Sequence, residues 1–383
     1  MKRKSWVSLC LAALILLSLC GCNQEAETPA QRANFANTVM NGDVFAYRDG
    51  FIYFPDFGYM YEYDTQTGKT ARLGGIADYS ASYVHVTEDQ VLYFYRAFPD
   101  ENNVARYLTR DGKESGEIFR RNDSMAHAFL DGNTWYFTDS GWLEEQDCCV
   151  SWLWRRDATT GEETLLLETE QIIYYFLNED YIYVLVLDTV PDPELDALLE
   201  ALNHGKADKV LSEEEDLSWE EQKEKERQEI QRIKNEKIKN DDLYVLRSRK
   251  DKIAFERVDI TQKPIALFVD GDDLYISTLG DWKVWHCSNG TATELPIRSA
   301  VYQVFDGHLV YADQPGSNKS LGDPLKLYNL KTGEIKELAE SVCDVAVLAD
   351  RYIAYSVTLD GANFRWYVYD WQTGETTEMV KPV

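Results

Sequence analysis

Short runs of alternating apolar and polar residues, each preceded by a polar turn, recur along almost the whole chain. They are DGFIYF (49–54), DQVLYFY (89–95), DGNTWYF (131–137), NEDYIYV (178–184), DGDDLYI (270–276), DGHLVYA (306–312) and ADRYIAY (349–355). A period of two puts successive side chains on opposite faces, so each run predicts a β-strand. A second phrase alternates with the first. It reads YDTQTGK (63–69), RDATTGE (156–162), YNLKTGE (328–334) and YDWQTGE (369–375), with weaker versions RDGK (110–113), RKDK (249–252) and SNGT (288–291). Gly68, Gly112 and Gly161 stand 44 and 49 residues apart, and Gly290, Gly333 and Gly374 stand 43 and 41 apart.

Between these markers each unit divides into four short strands, A to D. The second unit reads ASYVHV, VLYFYR, VARYLTR and GEIFRR; the seventh reads DVAVLA, YIAYSV, RWYVYDW and TTEMV. Four strands in roughly 40–45 residues is the period of a β-propeller blade. The expected fold is therefore all-β, a propeller of seven four-stranded blades over residues 36–383. Six or eight blades would follow if one weak unit were misread. The TG phrase becomes the C–D hairpin turn. Its Asp or Asn is suited to accept backbone N–H bonds two residues on, and its Gly to take a positive φ.

In this arrangement the A–B and C–D turns share one face, and the B–C and D–A connections share the other. The A–B and C–D turns are short. The long connections are B–C: AFPDENN (97–103), DSGWLEEQDCCV (139–150), residues 188–241 and DQPGSNKSLGDP (313–324). Long loops on a rigid scaffold are where binding usually resides. The insertion at 190–241 in blade four predicts an α-helical hairpin. Leu195, Leu198, Leu199 and Leu202 form one helical stripe after Pro193, and Ser218 with Glu221 can cap a second helix through WEEQKEKERQEIQRIKNEKIK. It is either a lid on its own ring or a docking arm presenting those leucines and Trp219.

The first residues stand apart from the repeat. Lys2, Arg3 and Lys4 precede an apolar run that ends in LCGC (19–22). The run is short for a membrane span and has the flanks of a signal peptide. LCGC resembles the lipobox of bacterial lipoproteins, which implies cleavage after residue 21 and acylation of Cys22. Residues 22–35 read as a polar tether. The expected location is the extracytoplasmic face of a bacterial cell membrane, held by the acyl anchor alone.

The formal charge is −27, from 39 Lys and Arg against 66 Asp and Glu. Such a balance argues against nucleic acid, which needs clustered cations. No G-x-S-x-G, H-E-x-x-H, phosphate-loop or dinucleotide motif is present, and no cofactor is expected. His85 and His127, on successive A strands, are a weak metal pair. Cys148, Cys149, Cys287 and Cys343 leave every pairing open. Ligand-binding candidates on the long-loop face are Trp142, Glu144, Glu145, Asp188, Trp282 and Asp313.

The DG-x-I-Y-F and L-Y-x-x-x-x-x-TGE patterns, as in DGFIYF followed by YMYEYDTQTGK, resemble the YWTD-like or TolB-like propellers of bacterial surface lipoproteins. The same turn occurs in quinoprotein propellers, but the aromatic expected a few residues later is missing from TGKTARLGG, so no quinone is implied. The expected function is binding, as a monomer, of an envelope protein or glycan on the B–C/D–A face. The alternative is an envelope hydrolase or lyase with a carboxylate pair at the channel mouth.

Overall fold

The computed structural model describes residues 44–76, 81, 83–97, 102–121, 126–143, 148–190, 192–195, 197–198, 223, 225, 227–230, 232–233, 236, 240–278, 281–299, 302–313, 323–358 and 363–382. For some of these, among them Trp142, His127 and Cys148, only the backbone is described. The strands among the described residues run from β1 (Ala46–Arg48) to β28 (Glu375–Glu378) and form seven antiparallel sheets of four. Blade one spans residues 46–75, blade two 83–121, blade three 126–169 and blade four 171–257. Blade five spans 264–298, blade six 302–342 and blade seven 345–378. Each sheet consists of four consecutive strands in the order A-B-C-D, as the alternation predicts. Seven blades is therefore the count.

No single core fills the molecule. Apolar side chains pack in the gaps between neighbouring blades, because a sheet in a ring has two faces to cover. Tyr53, Val84 and Val104 join blades one and two. Phe94, Phe129, Trp135 and Val184 link blades two to four, and Phe176, Phe268 and Leu309 link blades four to six. Tyrosine hydroxyls buried in these gaps find backbone partners in a neighbouring blade. Tyr175 donates to the carbonyl of Tyr136 at 2.8 Å, and Tyr83 accepts from the N–H of Leu130 at 3.3 Å.

The TG turns behave as their composition requires. The Asp64 carboxylate accepts from the N–H groups of Gln66 and Thr67, Asp157 from Thr159 and Thr160, and Asn329 from Lys331 and Thr332. Gly68, Gly161, Gly333 and Gly374 have φ of +68°, +73°, +75° and +75°. The residue that follows strand C has a second use. Its N–H stitches the C–D turn to the A–B turn of its own blade, as Arg110 does to Asp89 and Trp371 to Arg351. In blades two, four and seven its side chain also reaches the preceding blade. Arg110 binds Asp49 and the Tyr53 hydroxyl, Lys250 binds Asp131 at 2.6 Å, and the Trp371 ring lies 4.5 Å from His308 and 5.5 Å from Phe305.

Blade one has no such latch onto blade seven. Its equivalent residue, Thr65, turns its hydroxyl onto Gly50 of its own blade. That seam is made by rings instead. Trp366 lies 5.4 Å from Phe45 and 5.1 Å from Phe54, and Tyr47 lies 5.6 Å from Tyr352. Met379 is buried behind them, and Lys381 pairs with the buried Asp56.

Two alanine substitutions separate backbone strain from interblade fit. At Gly374 (φ +75°) a Cβ would meet nothing nearer than the Tyr369 hydroxyl at 3.9 Å, so Gly374→Ala should cost only the left-handed penalty of about 1–2 kcal/mol. At Gly112 (φ +72°) the Cβ would stand 2.0 Å from the Leu73 carbonyl oxygen of blade one, so one backbone must move. Denaturant unfolding should show a loss for Gly112→Ala at least twice as large as for Gly374→Ala, on the order of 3 kcal/mol.

Candidate functional site

The B–C and D–A connections gather on one rim, as the strand order requires. In blade three the structure departs from the expected loop at 139–150. β10 (Thr134–Leu143) and β11 (Cys148–Asp157) stay paired through Trp142 opposite Cys149 and Leu143 opposite Cys148. The WLxxxxCCV sequence is apolar and β-prone enough to extend the hairpin, so Trp142 stands on a strand. Glu144 and Glu145 lie outside the described residues. In blade two the pairing likewise runs on to Ala97 opposite Asn102, further than a loop at 97–103 implies.

In blade four the rim carries the insertion, and its root is built from acids. β14 (Tyr181–Asp188) and β15 (Asp242–Arg249) end with Asp188 directly opposite Asp242. Two carboxylates so placed repel, and each has its own compensation. Asp188 accepts from the Tyr244 hydroxyl at 2.7 Å and from Thr169 at 3.4 Å. Asp242 takes two bonds from the Arg257 guanidinium, at 2.9 and 3.0 Å, and that pairing holds its pKa below the usual carboxylate range. Arg257 also lies over the Tyr244 ring at 4.3 Å. Burial, then the bond to Asp188, pushes the Tyr244 phenol up to about 12.

The two ends of the insertion are tied to each other. The buried Asp241 accepts from the N–H of Val190 at 2.9 Å, and Lys263 donates to its carbonyl at 2.7 Å. Asp192 caps the residues that follow, accepting from the N–H of Leu195 at 3.1 Å, and Asn240 donates to it at 3.0 Å. Residues 193–195 and 197–198 are helical, as are 223, 225, 227–230, 232–233, 236 and 240. Leu195 and Leu198 are half-buried, while Leu199, Leu202 and Trp219 lie outside the described residues. Ile233 is fully buried, and Arg232 on the exposed side binds Glu229 and Glu236.

Trp282, in the B–C connection of blade five, has a φ of +55°. A bulky residue rarely sits there, and such strain persists only where surrounding contacts impose it. Its N–H donates to Thr278 at 3.1 Å, and its carbonyl accepts from Ser299 at 2.9 Å, which fixes the loop. Its side chain remains partly exposed. Asp313, in blade six, pairs with Lys326 of its own blade. Trp142, Asp188, Trp282 and Asp313 thus occupy one rim on blades three to six; Asp188 is held by Tyr244 of its own blade and Thr169 of blade three, and Asp313 by Lys326 of its own blade.

The weak metal pair is described only in part. His85 packs between Tyr83 and Phe129, and burial, then the charge of Arg48, pushes its pKa down to about 4. No group of three metal-ligating residues is found among the described residues. Cys149, Cys287 and Cys343 are free thiols. His286 binds Asp273 at 2.9 Å, and the His308 Nε2 takes a bond from Asn329 at 2.9 Å. The described contacts of these two histidines set no nucleophile against an imidazole.

One rim feature had no obvious sequence signal. Phe57, in the two-residue B–C turn of blade one, has a φ of +43° and is 50% exposed. Only FGY within FPDFGYM marks the turn, and nothing there announces that an aromatic takes the left-handed position.

No known protein family matches the sequence, and none of the curated proteins matches it. Solved structures do resemble the fold. A puromycin hydrolase S511A mutant complexed with PGG is 10% identical, with a TM-score of 0.57 over 94% of this chain and 57% of its own. The tricorn protease is 10% identical, with a TM-score of 0.52 over 89% of this chain and 35% of its own. This chain therefore spans about a third to just over half of those two proteins. The β-propeller domain of the Trilobed protease from Pyrococcus furiosus, described as having an open velcro topology, is 10% identical. It aligns over 88% of this chain and 97% of its own with a TM-score of 0.52. At these identities the likeness establishes the class, a seven-bladed β-propeller, and no activity.

At the D–A entry to blade seven, Asp344 is mostly buried and accepts from the Ser356 hydroxyl at 2.5 Å. Burial raises its pKa. The folded chain holds this proton to higher pH than the unfolded chain, so the resulting stabilisation is complete below about pH 4. It is lost as the pH rises through the raised value. Asp344→Asn can still accept from Ser356. It should melt higher than the parent at pH 7, with the gap closing towards pH 4, in thermal scans across that range.

Proposed function

We propose that the chain is a lipid-anchored extracytoplasmic binding protein that holds an envelope protein or glycan on its B–C/D–A face, around blades three to five. The observation that carries this reading is the contrast at that rim. The one directly opposed pair of acids described there is engaged on both sides, Asp188 by the Tyr244 hydroxyl and Asp242 by the Arg257 guanidinium. The same face carries a rooted helical insertion in blade four and, in blade five, a tryptophan held in a left-handed turn. An acid–base mechanism needs one carboxyl that keeps its proton beside a second that is free. Asp242 is held ionised and Asp188 is engaged, which favours recognition over hydrolysis. A fixed aromatic with low conformational freedom suits a sugar face or a protein hot spot.

Location and partner class can be tested separately. Cys22→Ala should move the protein from the membrane to the soluble fraction, with loss of the acyl mass on intact-protein mass spectrometry. Retention in the membrane would remove the anchor from the proposal. For the partner, the full chain and a version with residues 193–239 replaced by a short loop serve as paired baits in envelope extract. The shortened chain keeps Asp192, Asn240 and Asp241 but loses the buried Ile233, so a cooperative thermal transition is the check that its ring is folded. Capture of the same protein by the intact bait alone assigns the insertion as a docking arm. If neither bait captures protein, purified envelope polysaccharide becomes the probe, and Trp282→Ala should weaken its binding by about tenfold or more.

A further inference from the structure

Six large apolar side chains are well exposed among the described residues. Leu165, Val190 and Ile335 stand apart, on blades three, four and six. The other three meet at one place: Phe57 is 50% exposed, Tyr59 39% and Val380 66%. Asp56 and Tyr59 flank the turn that carries Phe57. Lys381, next to Val380, pairs with Asp56 and lies over the Phe57 ring at 5.7 Å. Arg72 lies over the Tyr59 ring at 4.8 Å. The patch therefore sits on the seam between blades one and seven, on the B–C/D–A face, across the ring from blade four.

Its charge is unlike that of the chain, which carries −27 in all. Lys381 offsets the buried Asp56, and Arg72 is exposed, with no carboxylate pairing it among the described residues. Exposed Phe and Val beside a Tyr and two cations suit a bilayer interface. The apolar groups enter the acyl boundary, the phenol sits at headgroup level, and the long cationic side chains reach phosphate. The chain's point of entry supplies a second argument. Val44, the first described residue, packs with Phe54 and Trp366 in the cluster behind the patch. The 22 residues from Cys22 to Asp43 can span at most about 75 Å. An anchor at Cys22 therefore confines the patch near lipid, where a contact too weak to recruit a free protein is still made.

We propose that the rim formed by Phe57, Tyr59 and Val380 rests on the surface of the anchoring bilayer, with Arg72 and Lys381 toward its phosphates. The inference rests on the anchored location proposed above and adds a second lipid contact to the acyl chain. It gives a use to the left-handed backbone of Phe57 (φ +43°), since strain of this kind gathers at functional positions. It also orients the molecule. Blades one and seven lie nearest the membrane, and the insertion of blade four is tilted away from it, open to an envelope partner.

Hydroxyl-radical footprinting read by mass spectrometry tests this. The leader through residue 21 is replaced by a histidine tag. The chain is then mixed with vesicles of phosphatidylglycerol and phosphatidylethanolamine, with or without nickel-chelating lipid. Tethering should lower the labelling of Phe57 and Tyr59 by about threefold or more and leave Trp282 on blade five unchanged. In Phe57→Asn with Val380→Ser, where Asn tolerates the left-handed backbone, Tyr59 should return to its untethered level. Equal labelling with and without the tether would overturn the contact. So would equal protection of Trp282, which would set the whole face on lipid. Protection already present in the untethered chain and lost on dilution would overturn it too, assigning the patch to a second copy. Because the tag supplies the tether, an unacylated Cys22 would show only in the acyl mass and leave this footprint unmoved.

Discussion

A ring of sheets is stable only if every gap between blades is filled, including the gap where the chain begins and ends. Elsewhere in this molecule neighbouring blades are covalently consecutive, so a poorly packed gap can open only as far as the connecting chain allows. The seam between blades one and seven has no such limit. The sheet order within the described residues exchanges no strand across it, so side chains must close it. Trp366 wedged against Phe45 and Phe54, Tyr47 against Tyr352, Met379 beneath them and the Lys381–Asp56 pair are that closure. Large aromatics each bury apolar surface worth about 2–3 kcal/mol. Several of them meeting at one gap explain how a ring without strand exchange stays shut.

The two faces of the ring carry different burdens. On the A–B/C–D face most blades repeat one solution: an Asp or Asn that satisfies its own turn, a glycine in the left-handed region, and a residue after strand C that stitches to the A–B turn. Three of those residues, Arg110, Lys250 and Trp371, also hold the preceding blade, each by different chemistry. That face is therefore constrained by folding. The B–C face is released from this duty, and it is where the sequence varies most in length, with an extended hairpin in blade three and a helical insertion in blade four.

The repeat was legible because it rests on short-range rules. Period-two alternation and turn chemistry are local, and they placed the strands of blades two, six and seven to within a few residues. Where tertiary context decides, the sequence was a poorer guide. The 139–150 segment reads as a loop from its acids and glycine, yet cross-strand pairing carries β10 and β11 on to Leu143 and Cys148. Asp188 and Asp313 read as candidate ligands because acids on a long-loop rim attract notice. Their partners Tyr244 and Lys326 lie on the next strand of the same blade, and only the register reveals that they point together. The left-handed backbones of Phe57 and Trp282 were not visible at all, since composition carries no trace of a strained φ in a bulky residue.

The excess of acids bears on chemistry through the way each carboxylate is held. A net charge of −27 suggests many free carboxylates, any of which could serve as an acid or base. At the rim the described acids are instead spent on structure: Asp56 on Lys381, Asp241 on Val190, Asp242 on Arg257 and Asp313 on Lys326. Asp344, whose pKa is raised by burial, accepts from the Ser356 hydroxyl at a D–A entry. A carboxylate already committed to a guanidinium or ammonium gains little by taking a proton, and so makes a poor catalyst. It does make a rigid one-sided frame. Such a frame fixes the root of the insertion and the rim that carries Trp282, which is the arrangement the proposed binding role would need.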